Sequence, residues 1–298
     1  MAKARAIVKR RKAVRNIKKI TKTMQMIATA KFQKSLKRAV GTKPYTQKVR
    51  ELVRELASSV GNVRHPLLRQ PTDADRTNRI GLVVLTSNRG LAGAYNGSVL
   101  RTSMHFIREQ LAAGKTIDLY VAGKKGISFF TFQKRPITQR LDAQDTPRFV
   151  DVQRVADLFM DRFTKGELDA VYIAYMNFVS AGVQRPEVSA MLPLAGVAAK
   201  TEKSAEPAIK TETIYDFSPE PRELLDELLP LTVRTAFFQA FLDATTSEHV
   251  ARMVAMKSAT DNADKMAKAL TMQYNRARQS QITTELSEIM GGVEAMKK

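Results

Sequence analysis

The chain has 298 residues, of which 44% are hydrophobic, and it carries 49 Lys and Arg against 29 Asp and Glu, a formal net charge of +20. This length suits one large domain or two ordinary ones, with enough apolar surface for a core. The absence of Cys excludes disulfides, thiolate catalysis and Cys-ligated metal sites. No apolar run approaches the length of about 18 residues that a membrane-spanning helix needs.

The positive charge is concentrated at the amino terminus, where residues 1–50 contain 17 Lys or Arg and no Asp or Glu. Three explanations fit such a segment: an arm that binds nucleic acid, a mitochondrial transit peptide, or a helix that faces an acidic protein partner. An apolar stripe in the same segment favours the partner-facing helix. Phe32 is the one aromatic residue available for base stacking in residues 1–40.

Residues 1–40 and 231–290 contain neither Pro nor Gly, the two strongest helix breakers. A helix over 231–290 would be roughly 90 Å long. That exceeds the diameter of about 50 Å that a compact chain of this length has. We therefore expect it to project and to pair with the amino-terminal helix, which also argues against removal of that helix as a transit peptide. A bundle with a turn hidden in 231–290 is the alternative.

Both terminal segments carry heptad stripes that predict where the two helices meet. The carboxyl-terminal stripe comprises Met253, Met256, Thr260, Ala263, Ala267, Leu270, Tyr274 and Ala277, and after a one-residue shift Ile282, Leu286 and Ile289. The amino-terminal stripe comprises Ala13, Ile17, Ile20, Met24 and Ile27. Gly291 and Gly292 predict the end of the second helix.

The middle of the chain alternates strand and helix patterns. The predicted strands are 80–86, 117–122, 136–138, 170–178 and 188–194, and the predicted helices are 97–113, 124–130 and 147–165. This alternation predicts an α/β fold with a mostly parallel sheet. Residues 199–221 are polar and rich in Pro, which indicates a loop.

A proline interrupts the approach to the carboxyl-terminal helix. Residues 222–229 have a helical pattern, but Pro230 removes a backbone donor and clashes with the carbonyl of Asp226. We expect a break, or a kink above about 20°, between Asp226 and Pro230. The long straight helix should then begin near Leu231.

No catalytic, cofactor or metal site is predicted. Gly90, Gly93 and Gly97 follow the first strand but lack the order of a phosphate-binding loop, so they are better explained as turn residues. His105 and Glu109 share a helix face, yet two ligands do not make a metal site.

Four segments resemble the gamma subunit of bacterial F-type ATP synthase. They are NIKKITKTMQMIATAKF (16–32), TSNRGLAGAYN (86–96), SEHVARMVAMKSATDNA (247–263) and YNRARQSQITTELSEIMGG (274–292). The resemblance covers the whole chain. It implies an antiparallel coiled coil of the terminal helices and a central Rossmann-like domain. It also implies a rotor without a catalytic site, cofactor or small-molecule substrate. Its partners would be the alpha and beta subunits, the epsilon subunit and the c-ring.

The resemblance also assigns contact residues. Met24 matches a position that faces an acidic beta-subunit loop, and the positive charge around it comes from Lys18, Lys19 and Lys22. The polar positions that contact beta or stabilise the coiled coil are Arg252, Gln279, Thr283 and Glu285. The foot near epsilon and the c-ring keeps Pro219, Glu220 and Pro221 but otherwise diverges. Asn88 and Ala92 replace the usual Asp and Cys of the middle turn.

These expectations divide the chain into an amino-terminal helix (1–60), an α/β domain (75–198), a foot loop (199–221) and a carboxyl-terminal helix (222–292). Because the first motif begins almost at Met1, we expect no presequence. That fits a peripheral protein on the cytoplasmic face of a bacterial inner membrane. A basic coiled-coil protein that binds nucleic acid is the competing class.

Overall fold

The computed structural model describes residues 2–60, 65–70, 76–142, 144–194 and 221–296. The helices are α1 (Ala2–Val60), α2 (Tyr95–Ala112), α3 (Lys124–Phe132), α4 (Phe149–Thr164) and α5 (Pro221–Met296). The strands are β1 (Arg79–Leu85), β2 (Thr116–Ala122), β3 (Gln139–Leu141), β4 (Ala170–Phe178) and β5 (Gln184–Leu192). A short 3₁₀ turn covers Pro66–Leu68.

The chain forms two compact units, and each contains part of both long helices. The terminal unit comprises residues 1–30 and 252–298, and the central unit comprises residues 31–251. In the described part of the chain, no helix combines the length and the apolar character that crossing a membrane requires.

The terminal unit is an antiparallel helix pair, as predicted. Lys18 of α1 contacts Asp264 of α5, and Arg11 lies over the ring of Tyr274 at 5.0 Å, so partners move in opposite directions along the two helices. The predicted stripe on α5 is confirmed, because its residues from 253 to 277 are all buried or half-buried.

The predicted amino-terminal stripe is wrong, because each residue of the actual seam lies one position further along α1. Ile17, Ile20 and Ile27 are 52%, 59% and 53% exposed. The residues that face α5 are instead Val14, Lys18, Thr21, Gln25 and Ala28, which keep the same heptad spacing. Small and hydroxyl side chains at this seam let two helices approach closely. The Thr260 hydroxyl donates to that of Thr21 at 2.8 Å, which satisfies the buried polar atoms.

The central unit is built on a five-stranded sheet in the order β3-β2-β1-β4-β5. The first four strands are parallel, and β5 pairs antiparallel with β4. One face of the sheet packs against α4 and the parts of α1 and α5 that belong to this unit, and the other face packs against α2 and α3. The predicted α/β class is therefore confirmed. The third strand lies at 139–141 rather than 136–138, and the fifth begins four residues earlier than predicted.

The predicted helix start at Leu231 is wrong. Helix α5 begins at Pro221 and continues through Pro230, so the predicted break is wrong, and the alternative of a kink stays a prediction. The buried side chains on either side of the proline are Leu225, Leu229 and Val233, which are at most 1% exposed. Each stabilises the helix by about 1.5–3 kcal/mol through burial. Together these contributions exceed the penalty of about 3 kcal/mol for an internal proline.

The predicted end at Gly291 and Gly292 is also wrong, because α5 continues to Met296. Neither glycine adopts the positive φ of a helix C-cap. A glycine inside a helix costs only about 1 kcal/mol relative to Ala. The residues that follow include Glu294, Ala295 and Met296, which favour helix.

Candidate functional site

The basic residues predicted for partner contact point in different directions. The Lys18 ammonium lies 2.5 Å from a carboxylate oxygen of Asp264 and belongs to the helix seam. Hydrogen bonds from Lys18 and then from Lys268 lower the pKa of the Asp264 carboxyl, so the contact is ionic at neutral pH. Lys19 and Lys22 are exposed. Two of the three lysines are therefore available to a partner, and the third holds the two helices together.

An apolar stripe runs along α1 in the same helical turns as these two lysines, but on another face. It consists of Ile17, Ile20, Met24 and Ile27, and we call it the outer stripe. Met24 is half-buried, whereas the three isoleucines are more than half exposed. The heptad pattern identifies the stripe but predicts that it forms the seam. Its β-branched residues remain on the surface of the chain, as in a protein-binding helix face.

The polar positions assigned on α5 do not form one site. Arg252 is 8% exposed, whereas Gln279, Thr283 and Glu285 are exposed. The Thr283 hydroxyl donates to the carbonyl of Gln279 at 3.0 Å, and Glu285 accepts from Gln281 at 2.8 Å. Because 27 residues of helix separate Arg252 from Gln279, the two lie about 40 Å apart.

The last turns of α5 carry a second exposed apolar stripe. It consists of Ile282, Leu286, Ile289, Val293 and Met296, and we call it the tip stripe. All five side chains are exposed, from 43% at Ile282 to 89% at Met296. The contact of Arg11 with Tyr274 places the start of α1, Ala2, opposite about residue 283 of α5. The described part of α1 therefore reaches Ile282 but cannot cover the rest of the stripe. The sequence revealed its first three residues but not the last two.

The predicted foot residues are only partly described. Pro219 and Glu220 lie outside the described residues, and Pro221 is the first residue of α5.

Two Asn side chains of the glycine-rich turn after β1 accept hydrogen bonds from the backbone of the same unit. Asn96 accepts from the backbone of Ser87 at 3.0 Å, and Asn88 accepts from the backbone of Lys124 at 3.1 Å. Asn88 therefore supplies an acceptor oxygen at the position where the resemblance leads one to expect Asp. Among the described residues, no group of three or more His, Asp or Glu side chains could hold a metal ion.

A buried charge network crosses the central unit from α1 to α5. Asp243 is 3% exposed, accepts from Gln239 at 3.0 Å and lies 3.9 Å from the Lys43 ammonium. Burial raises the pKa of its carboxyl from 3.8 to about 6, against the opposing effect of Lys43. Nearby, Tyr175 donates to Glu187 at 2.6 Å. Burial and then the Glu187 carboxylate raise the pKa of the Tyr175 phenol.

Comparisons with known proteins cover the whole chain. The family model described as ATP synthase matches residues 3–296. The chain is 40% identical over 298 residues to the ATP synthase gamma chain of Rhodopirellula baltica, covering 100% of both. It is 39% identical over 297 residues to that of Leptospira biflexa, covering 99% of this chain and 100% of the relative.

Solved structures show the same fold. A chain of the Euglena gracilis mitochondrial ATP synthase (OSCP/F1/c-ring, rotational state 3) is similar with a TM-score of 0.63 and 20% identity, covering 99% of this chain and 95% of that one. A chain of the central stalk/c-ring structure from Tetrahymena thermophila has a TM-score of 0.54 and 21% identity, covering 80% of this chain and 99% of that one. The family match and the full-length identities to the bacterial relatives establish that the chain belongs to the ATP synthase gamma chain family.

Proposed function

We propose that this chain is the gamma subunit of a proton-driven ATP synthase. As the central stalk, it would transmit rotation of the c-ring to the alpha–beta hexamer that makes ATP. The observation that carries this function is an antiparallel helix pair whose two exposed apolar stripes remain after the pair has formed. Helices that served only to hold each other would bury these residues.

A shaft has to resist twisting while its surface slides past its surroundings. The seam supplies the first property, since Thr21 bonds to Thr260 and Lys18 to Asp264 across the pair. The tip stripe supplies the second, because aliphatic contacts are non-directional and need no fixed partner atoms. A tip that made charged hydrogen bonds to its surroundings would have to break them at each step of the rotation.

The surface of α1 is suited to act differently on each side of the ring. Helix α1 presents the outer stripe on one face and the exposed lysines Lys19 and Lys22 on others, and the lysines fit an acidic loop of the beta subunit. One such face turning inside a ring of three beta subunits would meet each in turn. Each beta site would then pass through different affinities for ADP, phosphate and ATP.

The remaining assignments also belong to this proposal. Arg252 is buried and would stabilise the helix pair, whereas Gln279, Thr283 and Glu285 are exposed and would face beta. Pro219, Glu220 and Pro221 would lie in the foot, with epsilon and the c-ring as partners of the α/β domain (75–198) and foot loop (199–221). The bacterial relatives support a position on the cytoplasmic face of an inner membrane.

Nucleic-acid binding remains the competing class, and the structure favours it less. Salt-dependent phosphate binding needs a basic surface but no exposed isoleucine stripe. Within the outer stripe and its flanks there is no aromatic side chain for base stacking.

The test is assembly with alpha and beta subunits from the same source. The chain should join the hexamer and rotate during ATP hydrolysis, observed with a bead attached to the central unit. The purified chain should hydrolyse no ATP. Sequence-preferring duplex binding at physiological salt, without assembly into the hexamer, would contradict the proposal.

A control variant separates surface contact from folding. Replacing Ile20 with Gln should weaken assembly, while Met26→Gln, which removes a similarly exposed apolar side chain from another face of α1, should not. Equal losses in both variants would mean that the stripe has no particular role.

A further inference from the structure

A small cavity lies within the central unit, between α1, α5 and the loop that follows β3. Its volume is about 30 Å³, and its polar lining includes Lys31, Lys34, Arg38, Thr146, Thr245 and His249. A water needs about 10–15 Å³ in this measure, so the cavity holds two or three waters or one group of similar size. A phosphate group has about that size.

The cavity lies at the edge of the sheet where α/β folds bind ligands. Asp145, which lines it, belongs to the loop after β3. Arg89 comes from the loop after β1 and lies 3.7 Å from Asp145. Both loops leave the carboxyl ends of parallel strands, the side on which open parallel sheets place their ligands. The helices α1 and α5 cover this edge.

The lining of the cavity is strongly positive. Lys31, Lys34 and Arg38 follow one another at spacings of three and four on one face of α1. Among the described residues that line the cavity, Asp145 is the one carboxylate, and it lies 2.6 Å from Lys31. The hydrogen bond from Lys31 lowers the pKa of Asp145, which therefore remains ionised at neutral pH. Lys34 and Arg38 are exposed and add two further cations at the mouth.

The remaining lining groups suit a tetrahedral oxyanion. Arg38 presents a planar guanidinium that can donate to two oxygens at once. The Thr146 and Thr245 hydroxyls can donate as well. His249 and Leu242 are 3% and 1% exposed, so one side of the cavity is poorly solvated. Low solvation strengthens hydrogen bonds between an anion and these donors.

We propose that this cavity binds a phosphoryl oxyanion, either inorganic phosphate or the terminal phosphoryl group of a nucleotide. The anion would connect α1, α5 and the loop after β3 through its oxygens. Because it would bind the folded chain alone, it would stabilise the central unit as its free concentration rises. This binding does not depend on the chain acting as a shaft.

The three histidines of the chain offer a direct probe for binding to the full-length protein. The proton NMR signals of their imidazole rings can be assigned with the variants His65→Gln and His105→Gln. Titration with sodium phosphate at constant pH and ionic strength should shift the His249 signal in a saturable way. Sodium chloride at matched ionic strength should not. Titrations with ATP and ADP then identify the source, since tighter binding of either nucleotide assigns its phosphoryl group and tighter phosphate binding assigns the free ion.

Matched charge variants distinguish a site from general attraction. Arg38→Gln should weaken phosphate binding about tenfold. Lys37→Gln removes the same charge one residue away, at an exposed position outside the cavity lining, and should change the affinity less than about twofold. Asp145→Asn removes the carboxylate that repels the anion and should tighten binding.

Three results would overturn the proposal. One is the lack of a saturable His249 shift up to about 50 mM phosphate, a concentration that would fill a site with a Kd of about 1 mM. Another is an equal loss of affinity in the Arg38 and Lys37 variants. The last is weaker binding to an Asp145→Asn protein whose circular dichroism matches that of the unmodified chain.

Discussion

Replacing Asp243 with Asn should stabilise the central unit at neutral pH. The carboxyl is 3% exposed, accepts from the Gln239 amide at 3.0 Å and lies 3.9 Å from the Lys43 ammonium. Its pKa of about 6 shows that burial opposes ionisation more strongly than these partners favour it. An Asn at this position keeps an acceptor oxygen for Gln239 and carries no charge to desolvate.

The pKa values set the size and the sign of the effect. The carboxyl titrates at about 6 in the folded chain and at its ordinary value of 3.8 in the unfolded chain. Above pH 7 it is ionised in both states, and folding then costs about 3 kcal/mol at 1.4 kcal/mol per pH unit between the two values. Below pH 3.8 it is protonated in both states, and the cost vanishes. The advantage of the Asn variant should therefore be full above pH 7 and should decline as the pH falls from 6 to 4.

Urea unfolding followed by the near-ultraviolet circular dichroism of tyrosine measures this advantage. Six of the seven tyrosines lie in residues 31–251, and the chain has no Trp, so the signal reports the central unit. Asp151→Asn is the control, because hydrogen bonding to Arg148 lowers the pKa of that half-buried carboxyl. The control should gain no stability at any pH. An Asp243→Asn protein that is less stable than the unmodified chain at pH 8 would refute the reasoning.

Three further predictions concern the terminal unit. Ile20→Gln should change the free energy of unfolding by no more than about 0.5 kcal/mol, since its side chain is exposed; a fall of several degrees in melting temperature would place it in the seam. Lys19→Gln should weaken ATP-driven proton pumping more at low salt than at high salt. Lys18→Gln should instead lower the thermal stability of the helix pair. A loss of stability in the Lys19 variant but not in the Lys18 variant would contradict the observed contacts. Deleting 293–298 should weaken assembly with the hexamer slightly and deleting 282–298 strongly, as measured by gel filtration; equal losses would show that the tip stripe does not act as a whole.

The sequence was sufficient to predict the long helices, the strand–helix alternation and the helix seam on α5. These features follow from local patterns of apolar residues and helix breakers. The seam on α1 could not be predicted in this way, because its face is made of Lys18, Thr21 and Ala28 while isoleucines lie outside. Hydrophobic periodicity finds the most apolar face of a helix. In a subunit that binds partners, that face need not be the one buried within the chain.

The ends of α5 show a second limit. Pro230 and the glycines at 291 and 292 are strong local signals for a helix boundary, yet the helix continues through both. At Pro230 the outcome depends on Leu229 and its neighbours, whose burial is a property of the folded unit. At the glycines the small cost of helical glycine allowed the helix to continue. The burial of Asp243 was equally invisible in sequence, because its surroundings come from α1, β4 and β5.

The hydrogen bond between the hydroxyls of Thr21 and Thr260 also fixes how far the two helices overlap. Sliding one helix past the other by a heptad would restore an apolar repeat but would leave both hydroxyls facing the wrong side chains, and Lys18 would lose Asp264. Such a slip would move α5 by about 10 Å along the pair. The threonine pair therefore determines how many turns of α5 extend past the start of α1. The reach of the tip is thus fixed by a polar contact some 20 residues away from it.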